Sequence, residues 1–207
     1  MATSWQRLAN VTLSSTNYEM VTPTFTPKEF LKVVYHGIDQ SADSDVWIQV
    51  GTGGTMDTTN GNYMWRNGRN NSTDSTDNND SKINLIGANM NTTDADSYSD
   101  IDIANISDKH KLFVAETLTV KGGTDIPDNA ETVGKWSNTS GQINILRVFL
   151  SQNSSVYGVG SSVTVYGADD QPSTPYYPNL HNGEIFEQTD DGKHYMFDGT
   201  DTWNEMT

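Results

Sequence analysis

The chain has 207 residues and no cysteine, and its 27 acidic against 12 basic residues give a formal charge of −15. That balance repels a phosphate backbone, which argues against direct nucleic-acid binding, and the missing thiols remove disulfide staples, thiolate metal sites and cysteine nucleophiles together. Hydrophobic residues make up 34% and charged residues only 19%, so the surplus lies in Ser, Thr, Asn and Gly, which suit turns and solvated strand faces and point to an all-β protein.

Met1 to Arg7 lacks a basic region followed by an apolar run, and no stretch of about 18 apolar residues occurs anywhere, so neither a conventional export signal nor membrane insertion is expected. Residues 5–13 and 18–25 read as strands around the turn Ser14-Ser15-Thr16-Asn17, with Leu8, Val11 and Leu13 on the buried face. Thr26-Pro27-Lys28-Glu29 matches a helix capping box with proline at the first helical position, whereas residues 30–38 are rich in β-branched and aromatic side chains. The expectation there is one helical turn followed by a strand. Residues 45–51 form the next strand.

From Thr52 to Ser81 the chain turns polar, and low apolar content predicts long exposed loops with residues 63–66 as the one short strand inside them. Residues 83–86, 101–106, 111–120, 133–136, 142–149 and 162–166 then read as strands separated by Gly, Asn, Asp and Ser clusters. About ten strands between Trp5 and Gly167 fit an antiparallel, jelly-roll-like β-sandwich over residues 1–168. Pro172, Pro175 and Pro178 stiffen a linker over residues 169–182. Residues 183–207 then alternate aromatic runs with Asp191-Gly192 and Asp198-Gly199, the signature of a C-terminal β-meander. So short a segment cannot bury its own aromatic face, so Phe186, Tyr195, Phe197 and Trp203 are expected to anchor it on the main domain or on another subunit.

Little in the sequence supports catalysis. His36, His110, His181 and His194 are scattered, Val159-Gly160-Ser161-Ser162-Val163 lacks the closing glycine of a nucleophile elbow, and Gly51-Thr52-Gly53-Gly54 is not followed by a phosphate-binding Lys-Ser or Lys-Thr pair. The chain is therefore read as a non-enzyme with no resident cofactor. The one cation candidate is the acidic run from Asp94 to Asp102, where Asp94, Asp96 and Asp100 present oxygen ligands for Ca²⁺, although Tyr98 and Ser99 stand where a calcium loop carries Asp and Gly. The plainer reading is an acidic turn entering the strand at Ile101. Tyr63 and Trp65 lie inside the polar region, where aromatic faces either stack on sugar rings or fold back as a plug over the sandwich. Tripeptides of the form N-x-S/T at Asn10, Asn71, Asn91, Asn105, Asn138 and Asn153 arise by chance in a chain of this composition.

Several stretches resemble structural proteins of environmental bacterial and archaeal viruses. They are Trp5-Gln6-Arg7-Leu8-Ala9 with Thr12-Leu13-Ser14, the strand at Trp136 followed by residues 143–149, and residues 157–167. The tail from Gly183 to Trp203 is similar to short modules that recur in the same kind of virion protein. The resemblance implies a jelly-roll-like subunit of a capsid, turret, spike or tail that assembles in the host cytoplasm, and its partners would be copies of itself and other virion proteins. A host-attachment role, with Tyr63 and Trp65 on a cell-surface glycan, is the alternative.

Overall fold

The computed structural model describes residues 4–41, 44–69, 74–86, 95–121, 127–169, 181–188, 192–199 and 202–206. The chain separates into two compact units, residues 2–170 and residues 171–207, a division that falls within the expected linker. Pro172, Pro175 and Pro178 themselves lie outside the described residues. All regular structure among the described residues is β-strand.

The first unit contains β1 (Gln6–Thr12), β2 (Glu19–Val21), β3 (Phe30–Gln40), β4 (Val46–Thr52), β5 (Thr55–Met56), β6 (Tyr63–Arg69), β7 (Ser75–Asp80), β8 (Ile83–Ile86), β9 (Ala95–Ala104), β10 (Lys111–Lys121), β11 (Asp128–Trp136), β12 (Ile145–Leu150) and β13 (Ser162–Ala168). The second contains β14 (Ile185–Gln188), β15 (Lys193–Phe197) and β16 (Trp203–Met206), paired as the expected meander.

Eight strands of the first unit form one sheet in the order β1-β13-β3-β9-β10-β11-β6-β7, and five form another, β2-β12-β4-β5 with β8 also on β4. Every pairing is antiparallel. The pairings nest: β1 with β13, β2 with β12, β3 with β9, and β4 with β8. Two further contacts, β13 on β3 and β12 on β4, close that long ribbon into two facing sheets. One core cluster joins them, with Leu31, Val33, Ile101, Ile103 and Phe113 from the larger sheet and Ile48, Val50, Ile83, Leu146 and Val148 from the smaller.

That core is not apolar throughout. Toward the ends of β3 and β10 the inward positions carry hydroxyls and amides that hydrogen-bond to one another, with the Gln40 Oε1 left over. Ser97 Oγ lies 2.5 Å from Tyr35 Oη, Gln40 Nε2 donates to both at 2.9 and 3.0 Å, and Ser99 Oγ lies 2.7 Å from Thr117 Oγ1. Burial pushes the Tyr35 phenol up to about 12, so it remains a neutral donor in this network. The pairing of polar groups offsets their desolvation and lets a low-hydrophobicity chain fill its interior.

Three local expectations are corrected. Residues 26–29 form no helical turn, because their backbone groups are engaged by distant strands. Glu29 N donates to Asp169 Oδ1 at 3.2 Å, Asn105 N donates to Glu29 O at 2.7 Å, and Asn105 Nδ2 donates to Lys28 O at 2.9 Å. The polar region after Thr52 contains β5, a longer β6 and all of β7, whose Ser-Thr-Asp-Asn-Asn-Asp sequence suits a solvated edge that resists further pairing. The acidic run is itself strand, since β9 begins at Ala95 and not at Ile101. The first unit thus holds 13 described strands.

Two aspartates tie the polar region to the core. Asp57 Oδ2 accepts from Trp136 Nε1 at 2.8 Å and from Asn62 Nδ2 at 2.8 Å, while its Oδ1 accepts from Thr59 N at 2.9 Å. Burial opposes ionisation of Asp57, but these donors outweigh it and hold the carboxyl below the usual range. Asp80 is likewise lowered against its burial, by Lys82, the Trp65 indole and the Ser81 amide. A carboxyl depressed in the folded state stabilises it above the unfolded value of about 3.9 and loses that contribution as pH falls toward the folded value. Urea unfolding between pH 7 and pH 3 should therefore show stability falling steeply below about pH 4, with a shallower fall in the Asp57→Asn/Asp80→Asn double variant. Equal slopes would remove these two groups from the acid response.

Candidate functional site

The two sheets treat their outer faces differently. On the smaller sheet the side chains cover one another. Lys82 Nζ sits 4.1 Å from the Trp47 ring centroid, Trp47 meets Phe149 edge-on at 5.5 Å, and the Arg147 guanidinium lies 4.4 Å from the Phe149 ring. Arg147 in turn donates to Glu19 Oε2 at 2.7 Å and to Gln49 Oε1 at 2.8 Å. Cation–π and ion-pair contacts close this ladder on itself.

No such cover exists among the described residues over β10 and its neighbours. From Lys111 to Val120 of β10 every inward position is buried and every outward position exposed, and four of the five outward side chains are aliphatic: Leu112, Val114, Leu118 and Val120. Val114 is 61% exposed, and its cross-strand partner Val133 on β11 is 53% exposed. Tyr98 on β9 stands opposite Leu118 and is also exposed. The fifth outward residue, Glu116, lies between Glu131 on β11 and Asp100 on β9. Lys32 Nζ donates to both oxygens of Asp100 at 2.9 Å and lies 3.4 Å from Asp102. The Asp100 hydrogen bond is the chief cause holding the Lys32 ammonium above its ordinary range, with burial opposing and Asp102 adding to it. Glu116 and Glu131 have no cation among the described residues.

A shallow trough crosses the same sheet where β6, β7 and β11 meet, lined by Met64, Arg66, Thr76, Asn78, Val133 and Lys135 among others. Arg66 is ion-paired to Asp74 beside it. The face as a whole offers flat aliphatic area interrupted by a carboxylate row, a surface suited to adhesion and lacking the enclosed, convergent groups of a catalytic cleft.

The sequence-predicted site residues distribute unevenly over this structure. Tyr63 is fully buried, stacked on Trp136 with centroids 6.4 Å apart, and its Oη accepts from Val50 N at 3.1 Å while facing Val50 O and Asp57 O at 2.8 and 2.9 Å. It has no face to offer a sugar. Trp65 packs partly against the core with its Nε1 donating to Asp80 Oδ2 at 3.0 Å, and it also lines the shallow trough. Of the calcium candidates, Asp94 lies outside the described residues, Asp96 and Asp100 sit on the outer face of β9, and Asp100 is occupied by Lys32. Among the described residues no three acidic or imidazole groups converge on a point.

In the meander, Phe186 pairs with Tyr195, and Phe197 with Trp203, which places all four predicted anchors on one face. Trp203 meets Phe186 at 6.0 Å and Phe197 at 5.2 Å, a small aromatic cluster. Phe197 is buried, Tyr195 and Trp203 are half-buried, and Phe186 is 54% exposed. The opposite face carries Ile185, Met196 and Met206, all exposed, which the sequence reading did not single out. The chain matches no protein-family model, no curated protein and no solved structure.

Proposed function

We propose that this chain is a structural subunit of a virus particle, acting by self-association and by docking on other virion proteins, with no catalytic role. The observation that carries the reading is the nested pairing of β1 with β13, β2 with β12, β3 with β9 and β4 with β8, closed by β13 on β3 and β12 on β4. We read a ribbon nested and closed in this order as jelly-roll-like, and jelly rolls are common in capsid domains. The hairpins β6-β7 and β10-β11 widen one sheet of the roll and carry the bare aliphatic face. Fold alone does not fix function, and the exposed aliphatic area supports the same reading independently of the architecture.

Self-association is assigned to the meander. It is a three-stranded sheet of strands four or five residues long, with apolar side chains exposed on both faces and one open edge on each of β14 and β16. Such a sheet is stabilised by covering it with further copies. Truncation after Asp170 keeps β13 and the Lys28 to Asp169 ion pair at 2.6 Å. The truncated chain is expected to keep its melting temperature while its mass by multi-angle light scattering falls from oligomer to monomer. Unchanged mass would remove the meander from assembly. Placement on the particle is tested separately, by peptide mass fingerprinting of density-purified particles from cells producing the chain. Its peptides should sediment with the particles, and their confinement to the soluble fraction would overturn the proposal.

A further inference from the structure

We infer that the outer face of β9, β10 and β11 receives a surface of a different protein that is cationic at its centre and aliphatic around it, and that a second copy of this chain is not its occupant. The inference rests on the structural role proposed above and adds the chemistry of the docking partner.

Glu131, Glu116 and Asp100 form a row of three carboxylates directly opposite one another on adjacent strands. Side chains so placed have Cβ atoms about 5 Å apart, and like charges there are destabilising. Lys32 neutralises Asp100, but Glu116 and Glu131 face solvent with no counter-charge among the described residues. The free protein thus carries an unfavourable feature at the middle of its most apolar exposed surface. Leu112, Val114 and Val133 lie on one side of the row, and Leu118, Val120 and Tyr98 on the other.

Consider two occupants. A second copy packed about a two-fold axis centred on β10 brings one carboxylate row onto another, so burying the aliphatic patches requires desolvating like charges against each other. A formal charge of −15 on each copy adds to that repulsion. A surface bearing lysine or arginine between aliphatic residues reverses both terms. It gives Glu116 and Glu131 the cation they lack, and the patches on either side exclude water around the pair. Charge complementarity therefore selects the hetero-partner, and the strand alternation of β10 sets its spacing: aliphatic, acidic, aliphatic along a single edge-to-edge line.

The test uses the full chain and two synthetic octapeptides, one alternating valine with lysine and one alternating valine with glutamate, with binding followed by calorimetry and by backbone amide shifts. The Val/Lys peptide should bind and shift amides of β10 and β11, and the Val/Glu peptide should not. Glu116→Gln/Glu131→Gln and, separately, Val114→Ser/Leu118→Ser should each weaken Val/Lys binding about tenfold, with no fall in melting temperature for the glutamine pair. Removing two carboxylates elsewhere, in Glu184→Gln/Glu187→Gln, should change it less than about twofold. Equal losses from the two glutamine pairs would reduce the effect to net charge and overturn the inference, as would an absence of Val/Lys binding or equal binding of the two peptides. An oligomer that dissociates in Val114→Ser/Leu118→Ser would identify a second copy as the occupant. These outcomes are independent of particle sedimentation and of the truncated chain's mass, so failure here leaves the structural role standing, and the reverse holds.

Discussion

Replacing Trp136 by alanine is expected to destabilise the first unit by about 3–5 kcal/mol, lowering its melting temperature by roughly 6–20 °C. Trp136 is the largest fully buried side chain and ends β11 directly opposite Tyr63 on β6 and Lys111 on β10. Its removal empties a space that strands fixed on both sides cannot close, and it strips the stacked Tyr63 ring of its neighbour. A second effect comes from its indole N–H, which donates to Asp57 Oδ2 at 2.8 Å. Trp136→Phe separates the two. The smaller ring keeps most of the packing but leaves Asp57 without that donor, and a loss of about 1–3 kcal/mol is expected. Chemical denaturation of both variants decides the matter. If Trp136→Phe were as damaging as Trp136→Ala, the hydrogen bond and not the packing would hold this end of the sandwich.

How much of this was legible in the sequence depends on what points inward. Strands β3, β12 and β13 alternate apolar inward residues with the rest, so their positions follow from period two alone. The early half of β9 and of β11 resisted the same reading because their inward residues include Ser97, Ser99 and Thr132, which are buried by pairing with other polar groups. A hydroxyl that finds its partner from another strand carries no local signal of burial. β7 is invisible for a different reason: it is an edge, held by backbone hydrogen bonds to β6, and its exposed side chains never meet the core. Tyr63 was misplaced in consequence, since its polar neighbours conceal that β6 is an interior strand, paired on both sides between β7 and β11.

The bare aliphatic face was legible in principle. Seven of the ten residues 111–120 are aliphatic or β-branched, where a strand exposed on one side should alternate. Such a run describes a strand covered on both faces, yet the described residues cover only one. The surplus of apolar positions lies where the described residues of the larger sheet leave its outer face bare. Its interruption at Glu116 is equally informative, because a strand destined for a purely apolar environment would have no reason to keep a carboxylate at its centre.

Gly51→Ala should be the most damaging of the small substitutions, with a loss of about 3 kcal/mol or more. The added methyl would lie 1.9 Å from the carbonyl oxygen of Thr55 and 2.8 Å from Met56 Cα, both backbone atoms that no rotamer change can move aside. Gly51 pairs with Met56 across a hairpin whose two turn residues, Gly53 and Gly54, have φ of 62° and 77°, the positive values a two-residue turn of this twist demands. It also pairs with Ile145 on β12, and its carbonyl accepts from Asn144 N at 3.0 Å, so the hairpin cannot shift away from the methyl without opening the pairing of β4 with β12. That pairing is one of the two that close the ribbon into two sheets, which is why a single methyl here reaches the whole sandwich. Gly53→Ala provides the contrast. Nothing lies within 4 Å of its added methyl, so only the left-handed backbone resists it, at about 1–2 kcal/mol. Thermal unfolding of the pair should rank Gly51→Ala well below Gly53→Ala, and the opposite order would place the constraint in the turn and not in the close approach of the strands.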